Sequence, residues 1–136
     1  MNAKPIKHLV FTIAVLLILS GCSVGLVTVK TVSQEKPFAT AVMKGDVTEA
    51  TRCIGRYWQK EADELGFYWH VFVYSYQVHV TGEVTGGSTI GPVSLIIEFS
   101  EKNGKTIAEA RVHSMFDENN PRRIITMKAL DACKAR

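Results

Sequence analysis

The sequence predicts an α+β domain: an N-terminal helix, a three-stranded antiparallel meander and a C-terminal helix, with both helices on one sheet face. Two observations carry that expectation. Apolar residues recur at helical spacing through 46–65, then alternate singly along runs between Tyr68 and Phe116. Two hairpin signals, Gly86-Gly87 and Asn103-Gly104, separate those runs.

Asp46 opens the first helix, spaced from Glu49 as in a capping box with Asp in place of Ser or Thr. Val47, Ala50, Ile54, Tyr57, Trp58 and Leu65 form its apolar stripe, with Cys53 beside it. Gly66 supplies the left-handed stop. The first strand starts near Tyr68, and Tyr74, Tyr76, Val78 and Val80 alternate with Ser75, Gln77, His79 and Thr81. In the second, Val93, Leu95, Ile97 and Phe99 alternate with polar or outward residues. Thr106 to Phe116 is the third.

Two-residue loops at the glycine pairs fix the registers. Gly86-Gly87 sets Val80 opposite Val93, Val78 opposite Leu95, Tyr76 opposite Ile97 and Tyr74 opposite Phe99. Asn103-Gly104 sets Phe99 opposite Ala108, Ile97 opposite Ala110 and Leu95 opposite Val112. Both loops independently gather the apolar set on one face, which a one-residue slip would scatter. Pro92 counts against the second strand, since proline cannot donate to a ladder. Small side chains at Ala108 and Ala110 leave room for a helix. Asn120 caps the last helix and Pro121 takes its first position, with Ile125, Ala129, Ala132 and Cys133 on one face. Arg122 and Arg123 sit in its first turn, where positive charge opposes the helix dipole. Asp117 and Glu118 are the nearby compensating acids.

The same registers specify the other sheet face. They align His79, Ser94 and His113 in a row, the two histidines roughly 10 Å apart at the backbone. That row is the candidate for a loosely held metal or a pH-sensitive site. Zinc wants four ligands, or three plus water, so a solvated polar face is the plainer reading. Glu98 and Glu109 face each other there, with Arg111 diagonally close enough to compensate. Paired carboxylates do acid–base work when burial separates their pKa values, and nothing in the pattern buries this pair. His70 receives no role. Trp69, Val71 and Val73 are expected on the outer face, as surplus apolar surface for a partner. Thr85-Gly86-Gly87-Ser88 reads as a hairpin, not a phosphate loop. No catalytic constellation is visible, and no cofactor is implied.

The first 22 residues form a separate unit. Lys4 and Lys7 precede an apolar run from Leu9 to Leu19, a basic region and core of secretory length. Leu19-Ser20-Gly21-Cys22 closes the run and resembles the lipobox of bacterial lipoproteins. The resemblance implies diacylglycerol on the Cys22 sulfur, cleavage before Cys22 and acylation of the new amino terminus. Ser23 stands where an Asp would resemble an inner-membrane retention signal. The outer membrane, facing the periplasm of a Gram-negative host, is therefore implied. Export places the chain in an oxidising compartment, so Cys53 and Cys133 are expected to pair, joining the two helices. Such a bridge closes a loop of roughly 80 residues, worth about 4–5 kcal/mol in the chain-entropy model. In general plan only, the chain resembles small disulfide-stapled lipoproteins of proteobacteria, many of unknown role.

The expected organisation is a signal peptide over 1–21, a lipidated N-terminus and tether over 22–42, and one domain over 43–136. Residues 26–32 are strand-like in composition and suit either an edge strand or an extended tether. The chain carries 16 basic and 13 acidic residues; two of the bases leave with the leader, so the mature charge is nearly balanced. No nucleic-acid motif or basic stripe is present. The expected role is a non-enzymatic, lipid-anchored accessory protein, contacting the membrane through lipid and a protein partner through its surface. The alternative is a ligand or metal binder using His79 and His113.

Overall fold

The computed structural model describes residues 28–65, 69–83 and 90–136. The leader, Cys22, the Gly66 stop and the Gly86-Gly87 turn lie outside the described residues. The element order is α1 (Val29–Ser33), β1 (Ala39–Met43), α2 (Val47–Leu65), β2 (His70–Val73), β3 (Gln77–Glu83), β4 (Ile90–Lys102), β5 (Lys105–Val112) and α3 (Pro121–Cys133). The strands form one five-stranded sheet in the order β1-β5-β4-β3-β2, with every neighbouring pair antiparallel.

This corrects the expected three-stranded meander: the sheet gains a strand at each edge. The expected first strand is in fact a hairpin. Tyr74 N donates to Gln77 O at 2.8 Å, so Ser75 and Tyr76 form its two-residue turn. Neither has positive φ, so the turn lacks the Gly or Asn that marks a primed hairpin. It is held instead from the next strand, where Phe99 N donates to Tyr76 O at 2.9 Å.

The other edge strand is β1, within the stretch expected to be a tether. It pairs with β5, Ala39 facing Ala110 and Ala41 facing Ala108. Two alanines and a preceding proline gave little strand signal, since propensity favours β-branched and aromatic residues. Of the strand-like stretch 26–32, residues 29–32 are helical, and 26–27 lie outside the described residues. Thr28 caps α1 by accepting from Thr31 N at 3.3 Å. This helix lies on the outer face, against β4 and β5. Val32 and Ile96 are both fully buried, outside the main core. Burial of Val32 overrides local propensity.

The sheet's other face, together with α2 and α3, encloses the core. Trp58, Ile54 and Ala50 from α2 and Ile125, Ala129 and Leu130 from α3 meet Val78, Val80, Leu95, Ile97, Phe99 and Val112. The β4–β5 register is the expected one, from Leu95 opposite Val112 to Phe99 opposite Ala108. Asn103 (φ 53°) and Gly104 (φ 69°) turn the hairpin, both in the left-handed region that a primed turn needs. The β3–β4 register differs. It begins at Glu83 opposite Ile90, then shifts twice, so Val80 faces Leu95 and Val78 faces Ile97. A net slip of two residues preserves each residue's face, so Val78 and Val80 point into the core as expected but with new partners, whereas Tyr74 and Tyr76, expected beside them, are exposed at the turn.

Both helix starts follow the sequence. Asp46 Oδ1 accepts from Glu49 N at 2.8 Å, and Asn120 Oδ1 accepts from Arg122 N at 3.0 Å. Leu65 and Ala132 are exposed, contrary to the expected stripes, while Thr126 and Leu130 are buried in α3. Gly55 is the closest approach of α2 to the sheet: a Cβ there would lie 2.4 Å from Val73 Cγ2.

Cys53 in α2 and Cys133 at the end of α3 form a disulfide, with Cα atoms 6.1 Å apart. Just beyond it, the C-terminal residues pair with β1: Lys44 N donates to Cys133 O and Ala135 N to Val42 O. The bridge therefore ties two helices and the end of the chain to one edge of the sheet. Replacing both cysteines with alanine is expected to lower unfolding free energy by about 2–5 kcal/mol, read as a reduced urea midpoint with the native circular dichroism spectrum retained.

Candidate functional site

The outer sheet face carries a polar chain that crosses three strands. Alternation along β3, β4 and β5 sets Gln77, Glu98 and Glu109 side by side, Gln77 opposite Glu98 and Glu98 opposite Glu109. Arg111 is diagonal to Glu98 and donates through Nη1 to Glu98 Oε2 at 2.6 Å and through Nη2 to Glu109 Oε2 at 2.9 Å. Its side chain is only 13% exposed, so these charge-assisted bonds are partly shielded from water. Gln77 Nε2 donates to Glu98 Oε1 at 2.9 Å. Lys102 lies 3.6 Å from Glu109 Oε1 at the far end.

The near end is His79. Its Nε2 lies 3.0 Å from Gln77 Oε1. Because an ionised carboxylate only accepts, Gln77 must turn its amide nitrogen to Glu98 and its oxygen to His79, which makes His79 Nε2 the donor. The Tyr74 ring packs 4.7 Å from the imidazole. The His79 pKa is lowered from 6.5, chiefly because burial penalises the imidazolium, with Glu98 pulling weakly the other way. The Glu109 pKa is lowered, first by its hydrogen bond from Arg111 and then by that residue's and Lys102's charge against some desolvation. Glu109 is thus held ionised, the opposite of what a general acid requires.

The expected row of His79, Ser94 and His113 does not form. The shifted register puts Ile96 opposite His79 and Arg111 opposite Ile96. His113 instead accepts at Nδ1 from Met115 N at 3.2 Å. Among the described residues, no group of three or more His, Cys, Asp or Glu side chains is placed to hold a metal ion. Gln77 stands on this face as expected, whereas Tyr74, expected on the apolar face, joins it against His79.

Trp69, Val71 and Val73 are also relocated. The turn at Ser75-Tyr76 reverses parity, so Val71 faces Val80 and Val73 faces Val78 on the core side. Trp69 and Val71 pack against the core. Among the described residues, the exposed aromatics are those of the turn, Tyr74 and Tyr76, beside exposed Val73. They border a shallow groove of about 370 Å³ that reaches Gln77 and His79. A larger open groove of about 1180 Å³ runs past the disulfide, with Lys44, Lys105, Glu49 and Arg136 at its walls.

Ser94 lies where the β3–β4 ladder is irregular, between Thr81–Val93 and Val80–Leu95. A bulge releases a residue from strict alternation. The Ser94 hydroxyl donates to Val80 O at 3.1 Å and accepts from Arg122 Nε of α3 at 2.7 Å. The Arg122 guanidinium lies over Trp69 (4.9 Å) and Phe116 (4.6 Å). Arg123 lies 4.8 Å over Phe38 and donates to Phe116 O at 3.2 Å. Among the residues whose side chains are described, neither arginine has a carboxylate within ion-pair distance. Asp117, expected to compensate them, accepts instead from Asn119 N.

Fold and surface define a small α+β domain, bridged by one disulfide, with a polar ladder on its outer sheet face. No protein-family model matches the chain, and no curated protein matches it in sequence.

Two outcomes test the ladder. Because the His79 pKa is lowered, the unfolded chain takes up this proton first as pH falls below 6.5. Its contribution is complete above 6.5 and is lost as pH falls through the lower, folded-state value. His79→Gln should flatten that segment of the stability–pH curve, and the wild-type His79 ring proton should titrate below 6.5 by NMR. Arg111→Gln leaves Glu98 and Glu109 facing each other with only the exposed Lys102 beside Glu109, and should cost about 1–3 kcal/mol in urea unfolding. The loss should be largest at low salt and partly recovered by adding Glu109→Gln.

Proposed function

We propose that the chain is a lipid-anchored, periplasm-facing envelope protein with a non-enzymatic, protein-binding accessory role. The observation that carries this reading is Leu19-Ser20-Gly21-Cys22 at the end of a short apolar run with basic residues before it. The Cys53–Cys133 bridge supports it, because such bonds persist in oxidising compartments and are rare in the cytosol. The leader leaves the protein by cleavage before Cys22, and acyl chains hold the remainder at the outer membrane.

Protein contacts fit the surface better than catalysis does. Glu98 and Glu109, the paired carboxylates, are both tied to Arg111. The exposed aromatics Tyr74 and Tyr76 stand together at one end of the sheet, a residue type enriched where proteins meet. The other reading, a metal or small ligand on a row of His79, Ser94 and His113, loses its basis with the register that separates them.

The test is acylation. Wild-type protein expressed in a Gram-negative host should incorporate labelled palmitate and fractionate with the outer membrane. Cys22→Ala should incorporate none and retain its leader. Unchanged processing and membrane retention of Cys22→Ala would overturn the proposal.

A further inference from the structure

The Arg122 guanidinium has no counter-ion among the side chains described. Guanidinium carries five N–H donors, and the one on Nε is used by Ser94. The others have no acceptor among the described residues. Three circumstances make this costly in the free protein. The group is half-buried, and desolvation lowers its pKa. Arg123 sits beside it in sequence. Both occupy the first turn of α3, where the helix dipole already presents positive charge. Yet the side chain is not left to wander. Two aromatic faces flank it, Ser94 fixes its Nε edge, and Gly82 leaves room: a Cβ there would come within 3.3 Å of Nη2. The Nη edge stays open to solvent, so a braced guanidinium presents its free donors to a ligand at little further ordering cost.

The backbone is not the receptor. Asn120 already engages the N–H groups of Arg122, Arg123 and Ile124, so any ligand must be bound by the side chains. A fixed planar fork with free Nη donors recognises oxyanions in two-pronged fashion. The neighbouring charge of Arg123 favours a ligand with more than one negative charge.

We propose that Arg122, held between Trp69 and Phe116 and braced by Ser94, is the recognition residue of a phosphate-binding site, with Arg123 adding to its field. The phosphate belongs either to a soluble monoester or to a phospholipid headgroup. The site does not depend on acylation of Cys22; the two claims fail separately.

The experiment uses the full-length chain in phosphatidylcholine nanodiscs, with the Arg122 Nε–H resonance as the readout. Inorganic phosphate should shift that resonance saturably, where sodium chloride of equal ionic strength does not. Arg122→Lys keeps the charge but loses the fork, and should weaken the phosphate-dependent rise in melting temperature by about tenfold in half-effect concentration. Ser94→Ala, which frees the Nε edge, should weaken it less. Response only in discs containing phosphatidylglycerol assigns the phosphate to the bilayer. Response to a poly-glutamate peptide but to neither phosphate source, or to none of the three, overturns the proposal.

Discussion

The structure depends on one constraint: every residue that alternates inward along β3, β4 and β5 must end beneath α2 and α3. Val78, Val80, Leu95, Ile97, Ala108, Ala110 and Val112 meet it, and none of them is more than slightly exposed. Apolar burial at about 25 cal/mol per Å² is the main favourable term in so small a domain. Everything else is adjusted around it. The β3–β4 ladder slips by two residues in all, in two one-residue steps, because a net odd slip would turn the apolar set outward. The bulge at Ser94 absorbs the mismatch at the end of the ladder. There the displaced hydroxyl reaches a helix that regular alternation would have denied it.

The same constraint explains what the sequence showed and what it hid. The β4–β5 hairpin was legible because Asn103-Gly104 allows a single tight turn, and that turn allows a single register. Both long helices were legible from their caps and apolar stripes. The hairpin at Ser75-Tyr76 was not, since its turn residues have ordinary negative φ and are fixed by Phe99, a residue distant in sequence. Strand β1 was hidden for a similar reason. Its alanines say little alone, and their meaning comes from Ala108 and Ala110 across the ladder. The α1 helix reads as a strand until Val32 finds a buried place on the outer face.

The candidate site divides in the same way. Glu98, Glu109 and Arg111 could be placed together because their register rested on the strong turn. His79, Ser94 and His113 could not, because their alignment needed the β3–β4 register to be uniform. An irregularity of two residues was enough to replace a histidine row with a ladder of amide, carboxylate and guanidinium. The arginines of α3 were visible as an oddity of charge. The aromatic faces beneath them come from three separate segments, around Phe38, Trp69 and Phe116, which no local pattern brings together.

The docking of α1 has a consequence for reach. Were the chain free up to Thr40, a membrane-bound Cys22 would hold the domain on a long leash. Because Thr28 already caps a helix seated on the sheet, only the six steps from Cys22 to Thr28 remain. At roughly 3.4 Å per residue these extend no further than about 20 Å. Under the lipid-anchor proposal, the domain hugs the bilayer and leaves most of the periplasm's width beyond its grasp. A partner fixed on the opposite side would have to project toward it.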